Sequence, residues 1–208
     1  VYLRSSGHEE YKAILGFIGP AIYHAMFKIV TFKSIVITCQ KRLFAENKSN
    51  LVFPSELDSL WFNNKQIALT EKPRLLYVGR IKVEKGIFSL LEIYEKMNPE
   101  NIKLNIVTSK KYFEKLSKYK NLNLFSTLDE KTLIQRYDES KIFILPSFTE
   151  GHPQVLDEAL SRNRPVIVFN EIEHVKRDRY GIFVCNRNAK SLHEKIKTIQ
   201  NEYHKIYE

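Results

Sequence analysis

Two stretches of this chain combine charge with glycine and proline in a way that suits the binding of an anionic ligand. The first runs Val78-Gly79-Arg80 and then Glu84-Lys85-Gly86. Arg80 and Lys85 flank a short bend between an apolar run and a helical one, and two cations converging on a helix start suit a diphosphate, which brings about two negative charges. Lys82 lies between them without special spacing, so a solvated basic loop is the competing reading. The second stretch is Pro146-Ser147-Phe148-Thr149-Glu150-Gly151-His152-Pro153, continuing to Glu158. Backbone amides around Gly151 and His152 would face a ligand at a helix N-terminus, where the macrodipole favours an anion. Glu150 sits in the loop, while Glu158 falls inside the helix, roughly 7–8 Å along its axis from Pro153. Two carboxylates so separated can hold different hydroxyl pairs of one extended ligand; a helix N-terminal acid and a surface acid would look the same.

The elements that must position these residues alternate between short apolar runs and amphipathic segments. Leu75–Val78, Leu104–Val107, Leu122–Phe125, Ile142–Leu145, Val166–Phe169 and Ile182–Val184 read as strands. Ile142–Leu145 is continuously hydrophobic, as a strand buried on both faces should be. Helical spacing follows Gly86 (Ile87, Leu90, Leu91, Tyr94), spans Tyr112 to Tyr119, continues from an Asp129 cap through Leu133 and Tyr137, starts again near Pro153, and ends the chain from Ala189 to Tyr203. Strands separated by helices predict an α/β fold with a doubly wound, Rossmann-like parallel sheet. Both candidate loops then follow strands, on the edge where such sheets bind ligands.

The first seventy residues repeat the pattern incompletely. Val1-Tyr2-Leu3, Ile35-Val36-Ile37 and Leu51-Val52-Phe53 are short strand candidates, Pro20–Val30 and a stretch near Lys41–Ala45 look helical, and Pro54–Phe62 reads as a connector. The expected organisation is residues 1–70 as part of a second, incomplete Rossmann-like domain with its connector, and 71–208 as the ligand domain. Since the chain opens on Val1, it is expected to begin inside a longer protein.

Composition narrows the function. Lysine and arginine number 33 against 24 acids, a net charge of +9 that favours an anionic partner. The cations are scattered and no nucleic-acid reader motif is present, so nucleic acid is not the expected partner. Cys39 and Cys185 form no CxxC and the histidines show no zinc-ligand spacing, so no zinc site is expected. No GxGxxG follows a strand, which disfavours a dehydrogenase, and neither Ser147 nor Cys185 sits in a nucleophile elbow. No stretch has the uninterrupted apolar length of a membrane span.

Taken together, Gly79-Arg80 with Lys85-Gly86, and Glu150 with Glu158 after seven intervening residues, resemble the signature of family-4 (group 1) retaining glycosyltransferases of the GT-B fold. The stretch Val52 to Phe62 also resembles that family's interdomain connector, and the resemblance covers about Ile35 to Val184. It implies that Arg80 and Lys85 bind the diphosphate of a nucleotide-sugar donor and stabilise the leaving nucleotide. Glu150 would contact the transferred sugar and Glu158 the ribose hydroxyls. Gly79 and the backbone of Gly151, His152, Pro153, Gln154 and Val155 would line the sugar and phosphate site, with Thr127 and Leu128 flanking the base. His8, which follows Val1-Tyr2-Leu3, stands where many relatives place a histidine against the donor sugar; a surface histidine is the alternative. His152 is expected to be structural rather than a base.

The resemblance also implies no cofactor or metal, because cations and a helix dipole face the diphosphate. It implies a glycan or lipid-linked acceptor and a cytoplasmic setting, with peripheral attraction to an anionic membrane compatible with the charge. Acceptor contacts would fall mainly on the N-terminal domain, so this chain is expected to bind donor with little activity by itself. A phosphorylase or epimerase relative, or a degenerate nucleotide-binding module, are the alternatives. Three departures stand out: Thr108-Ser109 replaces a Gly-rich turn, Ser161-Arg162-Asn163-Arg164 a smaller step before a proline, and Asn170-Glu171 a Gly-Gly turn.

Overall fold

A computed structural model describes residues 2–3, 7–38, 49–52, 55–65, 73–97, 101–126 and 129–203. Its contacts divide the chain into two compact units: residues 1–55 together with Glu150–His152, and 56–149 together with 153–208.

In the first unit, β1 (Tyr2–Leu3), β2 (Val36–Thr38) and β3 (Ser49–Leu51) pair in parallel in that order. Between β1 and β2 lie α1 (His8–Leu15), a 3-10 turn and α2 (Gly19–Thr31). The α1 helix was not among the expected elements, and His8 is its first residue. The strand candidates are shifted by a residue or two, as short apolar runs without turn signals allow. The helix anticipated near Lys41–Ala45 and the end of the strand at Phe53 lie outside the described residues.

The second unit holds a six-stranded parallel sheet of β4 (Arg74–Val78), β5 (Lys103–Val107), β6 (Leu122–Phe125), β7 (Ile142–Leu145), β8 (Val166–Phe169) and β9 (Ile182–Cys185). Their order across the sheet is β6-β5-β4-β7-β8-β9. Counted within the unit, this is the 3-2-1-4-5-6 order of a doubly wound dinucleotide fold, and the chain reverses direction between β4 and β7. The central strands are buried on both faces because apolar clusters cover each side. One gathers Leu75, Tyr77, Leu90, Leu91, Ile106, Ile144 and Ile196. The other gathers Trp61, Leu76, Tyr137, Phe143, Leu145, Leu156 and Val168.

The helices are α3 (Ile87–Lys96), α4 (Phe113–Leu116), α5 (Glu130–Asp138), α6 (Gln154–Ser161) and α7 (Ala189–Asn201). The segment expected as one helix from Tyr112 to Tyr119 is a 3-10 turn, Lys110–Tyr112, followed by the single turn of α4. Only Leu116 of α4 is buried, too little apolar surface to extend it.

Candidate functional site

Because β4 and β7 are neighbouring parallel strands, the loops that leave them emerge side by side at the switch point, where ligands bind in open α/β sheets. Backbone contacts join the two loops. The Phe148 amide donates to the Glu84 carbonyl at 3.0 Å. Gly86 has φ +66°, and a Cβ there would lie 1.8 Å from the Pro146 carbonyl oxygen, so no side chain is tolerated at that crossing.

The β4 loop is itself braced: the Tyr77 hydroxyl donates to the Arg80 carbonyl at 2.7 Å, and the Gly79 amide to the Val107 carbonyl at 3.1 Å. The Arg80 side chain is exposed, and Lys85 is half-buried just before the helix start. Lys82, the cation without a motif role, pairs with Glu84 at 3.5 Å. The Glu84 carboxyl lies below the usual carboxylate range, first because of its own backbone hydrogen bond and then through the Lys82 and Arg80 charges.

Asp129 and Asn188 cap α5 and α7 with their side chains. The helices after the two motif loops, α3 and α6, have no side-chain cap, with Gly86 and Pro153 in the cap positions.

Glu158, on α6, lines an open cleft of about 380 Å³ with Glu56, Leu57, Trp61, Asp129, Glu130, Leu133 and Gln154. Its Oε2 accepts a 2.7 Å hydrogen bond from the hydroxyl of fully buried Tyr137. Burial pushes the Glu158 carboxyl up; the Tyr137 hydrogen bond opposes this, while the charges of Asp157, Glu56 and Glu130 add to it. The Trp61 indole N–H donates to Glu130, and its ring meets Tyr137 edge-on at 5.7 Å between centroids.

The remaining predicted residues are distributed as follows. Gln154 and Val155 open α6 after Pro153, and the Val155 carbonyl also accepts from the Tyr137 hydroxyl at 3.3 Å. Glu150, Gly151 and His152 fall with the first unit, as does His8, whose ring lies 5.4 Å from that of His24. Thr127 and Leu128 lie outside the described residues.

Sequence reasoning passed over Tyr137, Trp61 and Glu130. The only signal was that Tyr137 is a large aromatic between charged residues, Arg136 and Asp138; Trp61, between Leu60 and Phe62, gave none.

The departures from the family pattern have distinct fates. Thr108 is buried, its hydroxyl without a hydrogen-bond partner among the described residues. Arg162 and Arg164 are both about 1% exposed and are structural. Arg162 grips Asp138 with two bonds of 2.9 and 2.7 Å and donates to the carbonyls of Trp61, Asn63 and Asn64. It thereby fastens residues 61–64 to the rest of the second unit. Glu171 pairs with Arg187.

Residues 61–206 match the family model for group 1 glycosyl transferases, which covers well over half of the chain. The chain belongs to the group 1 glycosyltransferase family. It is 30% identical over 183 residues to an uncharacterized glycosyltransferase of Haemophilus influenzae, covering 82% of this chain and 50% of that one. It is 25% identical over 182 residues to the N,N'-diacetylbacillosaminyl-diphospho-undecaprenol alpha-1,3-N-acetylgalactosaminyltransferase of Campylobacter jejuni, covering 83% and 45%. Among solved structures, the sucrose-phosphate synthase of Thermosynechococcus elongatus superposes with TM-score 0.71 at 17% identity, over 95% of this chain and 57% of that one. At that identity the likeness establishes the GT-B fold alone. This glycosyltransferase chain spans about half the length of the curated relatives it matches.

Proposed function

We propose that this glycosyltransferase takes its sugar from a nucleoside diphosphate sugar and transfers it, with retention of configuration, to a glycan or lipid-linked acceptor. The observation that carries the reading is the crossing of Gly86 against the Pro146 carbonyl. It holds a cation-bearing loop and the approach to an uncapped helix together at the switch point. Glu158, set in its cleft by Tyr137, supplies an acceptor for ribose hydroxyls in the same unit.

In this reading Arg80, Lys85 and the amides opening α6 face the diphosphate. They act most strongly as negative charge grows on the departing nucleotide, so they lower the barrier by differential stabilisation of the transition state. Glu150 orients the transferred sugar, and Gly151 to Val155 line the sugar and phosphate pocket. The cations and helix dipole perform the neutralisation with no metal or other cofactor. Residues 1–70 belong to the acceptor side and 71–208 to the donor side. The lipid-linked acceptor is suggested by the name of the Campylobacter relative, and the net charge of +9 suits peripheral work at an anionic cytoplasmic membrane face. Among the described residues no helix is long and apolar enough to cross a membrane.

A thermal-shift series with UDP, GDP, ADP and their sugar conjugates tests the donor reading, because a ligand that binds only the native state raises its stability by mass action. At least one base is expected to raise the melting temperature with its diphosphate, and more with its sugar. A flat response to every nucleoside diphosphate would exclude the proposal.

A further inference from the structure

We propose that Arg187, held by Glu171, is a positioning residue for the diphosphate subsite, holding the segment that follows β7 against the loop that carries Lys85. The inference rests on the donor reading above for its ligand, but its geometry stands independently.

Arg187 follows β9 on the same sheet edge as the two motif loops, and its side chain is only 13% exposed. Four hydrogen bonds engage its guanidinium. Nη1 donates to the Pro146 carbonyl at 2.9 Å and Nη2 to the Ser147 carbonyl at 3.1 Å. Nε and Nη2 donate to the two oxygens of Glu171 at 2.7 and 3.2 Å. Two aromatic rings flank the group, Phe148 at 4.0 Å and Phe169 at 4.3 Å from their centroids. An arginine gripped by a carboxylate and flanked by rings cannot swing to another partner without losing several contacts at once.

The atoms it holds belong to the switch point. Pro146 and Ser147 are the first residues after β7, and the Pro146 carbonyl oxygen is the atom that a side chain on Gly86 would strike. A Cβ on Gly86 would also lie 3.2 Å from Arg187 Nη1. On its other side the segment is tied by the Phe148 amide to Glu84. Residues 146–148 are therefore clamped between Arg187 and the Glu84–Gly86 turn, so this clamp sets how closely the two loops approach. It also covers two carbonyl oxygens whose negative ends would otherwise oppose a neighbouring diphosphate. Glu171 holds the guanidinium in register, and its own carboxyl lies below the usual range, first through the Arg187 hydrogen bond. The family resemblance expects a glycine pair where Asn170-Glu171 stands, so the tie is a feature of this chain's own residues.

The test combines peptide-resolved hydrogen exchange with calorimetry on Arg187→Ala, Arg187→Lys, Glu171→Gln and a Lys190→Ala control, using UDP, GDP and their monophosphates as probes. In Arg187→Ala without ligand, exchange in the peptide containing Phe148 should accelerate while peptides from β4 and β5 stay protected. Diphosphate affinity should fall roughly tenfold or more, as expected when charged hydrogen bonds are removed. Monophosphate affinity should change less than about twofold. Arg187→Lys should not restore the diphosphate affinity, because an ammonium cannot reach two carbonyls and a carboxylate together. Glu171→Gln, the milder change because it keeps the guanidinium and its two carbonyl bonds, should lie between wild type and Arg187→Ala. Unchanged exchange at Phe148 in Arg187→Ala, or equal losses for mono- and diphosphate, would overturn the proposal. If wild type binds no nucleoside diphosphate, the donor reading fails, and the exchange result alone decides the tie.

Discussion

Tyr137 is fully buried, and its hydroxyl donates a 2.7 Å hydrogen bond to Oε2 of Glu158. Burial, reinforced by the Glu158 charge, holds the Tyr137 phenol well above its usual pKa, so the proton stays on the tyrosine. One carboxylate oxygen is thereby fixed, and the other can accept from a ligand hydroxyl.

Removing that bond should move both affinity and its pH dependence. In Tyr137→Phe the Glu158 carboxyl loses the contact that holds its pKa down and rises further. With Glu158 as the proposed acceptor for ribose hydroxyls, binding needs the ionised acid, so the acid limb of nucleotide affinity should shift to higher pH. Calorimetry from pH 5 to 8 checks this; a parallel loss at every pH would mean the tyrosine acts only through packing.

Glu158 should also reduce the stability of the free protein. Its folded pKa is raised, so between the ordinary carboxylate value and that raised value the folded state binds more protons than the unfolded state. Stability from this group is therefore lost as pH rises through that window. Glu158→Gln should melt higher than wild type at pH 7, with the difference shrinking toward pH 4, while binding nucleoside mono- and diphosphates more weakly. Glu150→Gln should spare a free diphosphate and penalise only the sugar-bearing donor.

For the cations, Arg80→Ala and Lys85→Ala should each cost about 10- to 100-fold in diphosphate affinity, from roughly 1.5–3 kcal/mol per charge-assisted hydrogen bond. Lys82 is half-exposed and paired with Glu84, so Lys82→Ala should change affinity less than about twofold. A Lys82 effect as large as that of Lys85 would reduce the loop to a diffuse basic patch.

Arg162 is buried with Asp138 and the carbonyls of Trp61, Asn63 and Asn64, so Arg162→Ala strips those carbonyls of their donor and leaves Asp138 with only the longer, 3.6 Å pair to Arg164. Losing these charge-assisted bonds should cost about 3 kcal/mol, measurable by urea unfolding. Trp61 is the sole tryptophan and 3% exposed, so its emission should shift to the red as the connector loosens. Unchanged emission would show that Tyr137 packing alone seats the connector.

The six strands of the second unit, the Asp129 cap and both motif loops are legible from local sequence. Each depends on signals within a few residues: continuous apolar runs, a cap at its helix start, glycine and proline at strand ends. The alternation of strands and helices also implies parallel pairing, and with it that both loops share one edge. What local pattern cannot encode is which distant side chain fills a given space. Arg162 reads as a bulky, basic loop residue and is instead a buried staple to a carboxylate 24 residues away and carbonyls nearly a hundred residues away. Glu171 looks like the loss of a glycine turn and is instead half of the Arg187 tie. Tyr137 counts in sequence as a helix core residue, yet its hydroxyl sets the carboxylate of Glu158. These assignments appear only once the sheet order places β7, β8 and β9 in succession, because polar partners of buried groups are chosen by proximity in space rather than by periodicity along the chain.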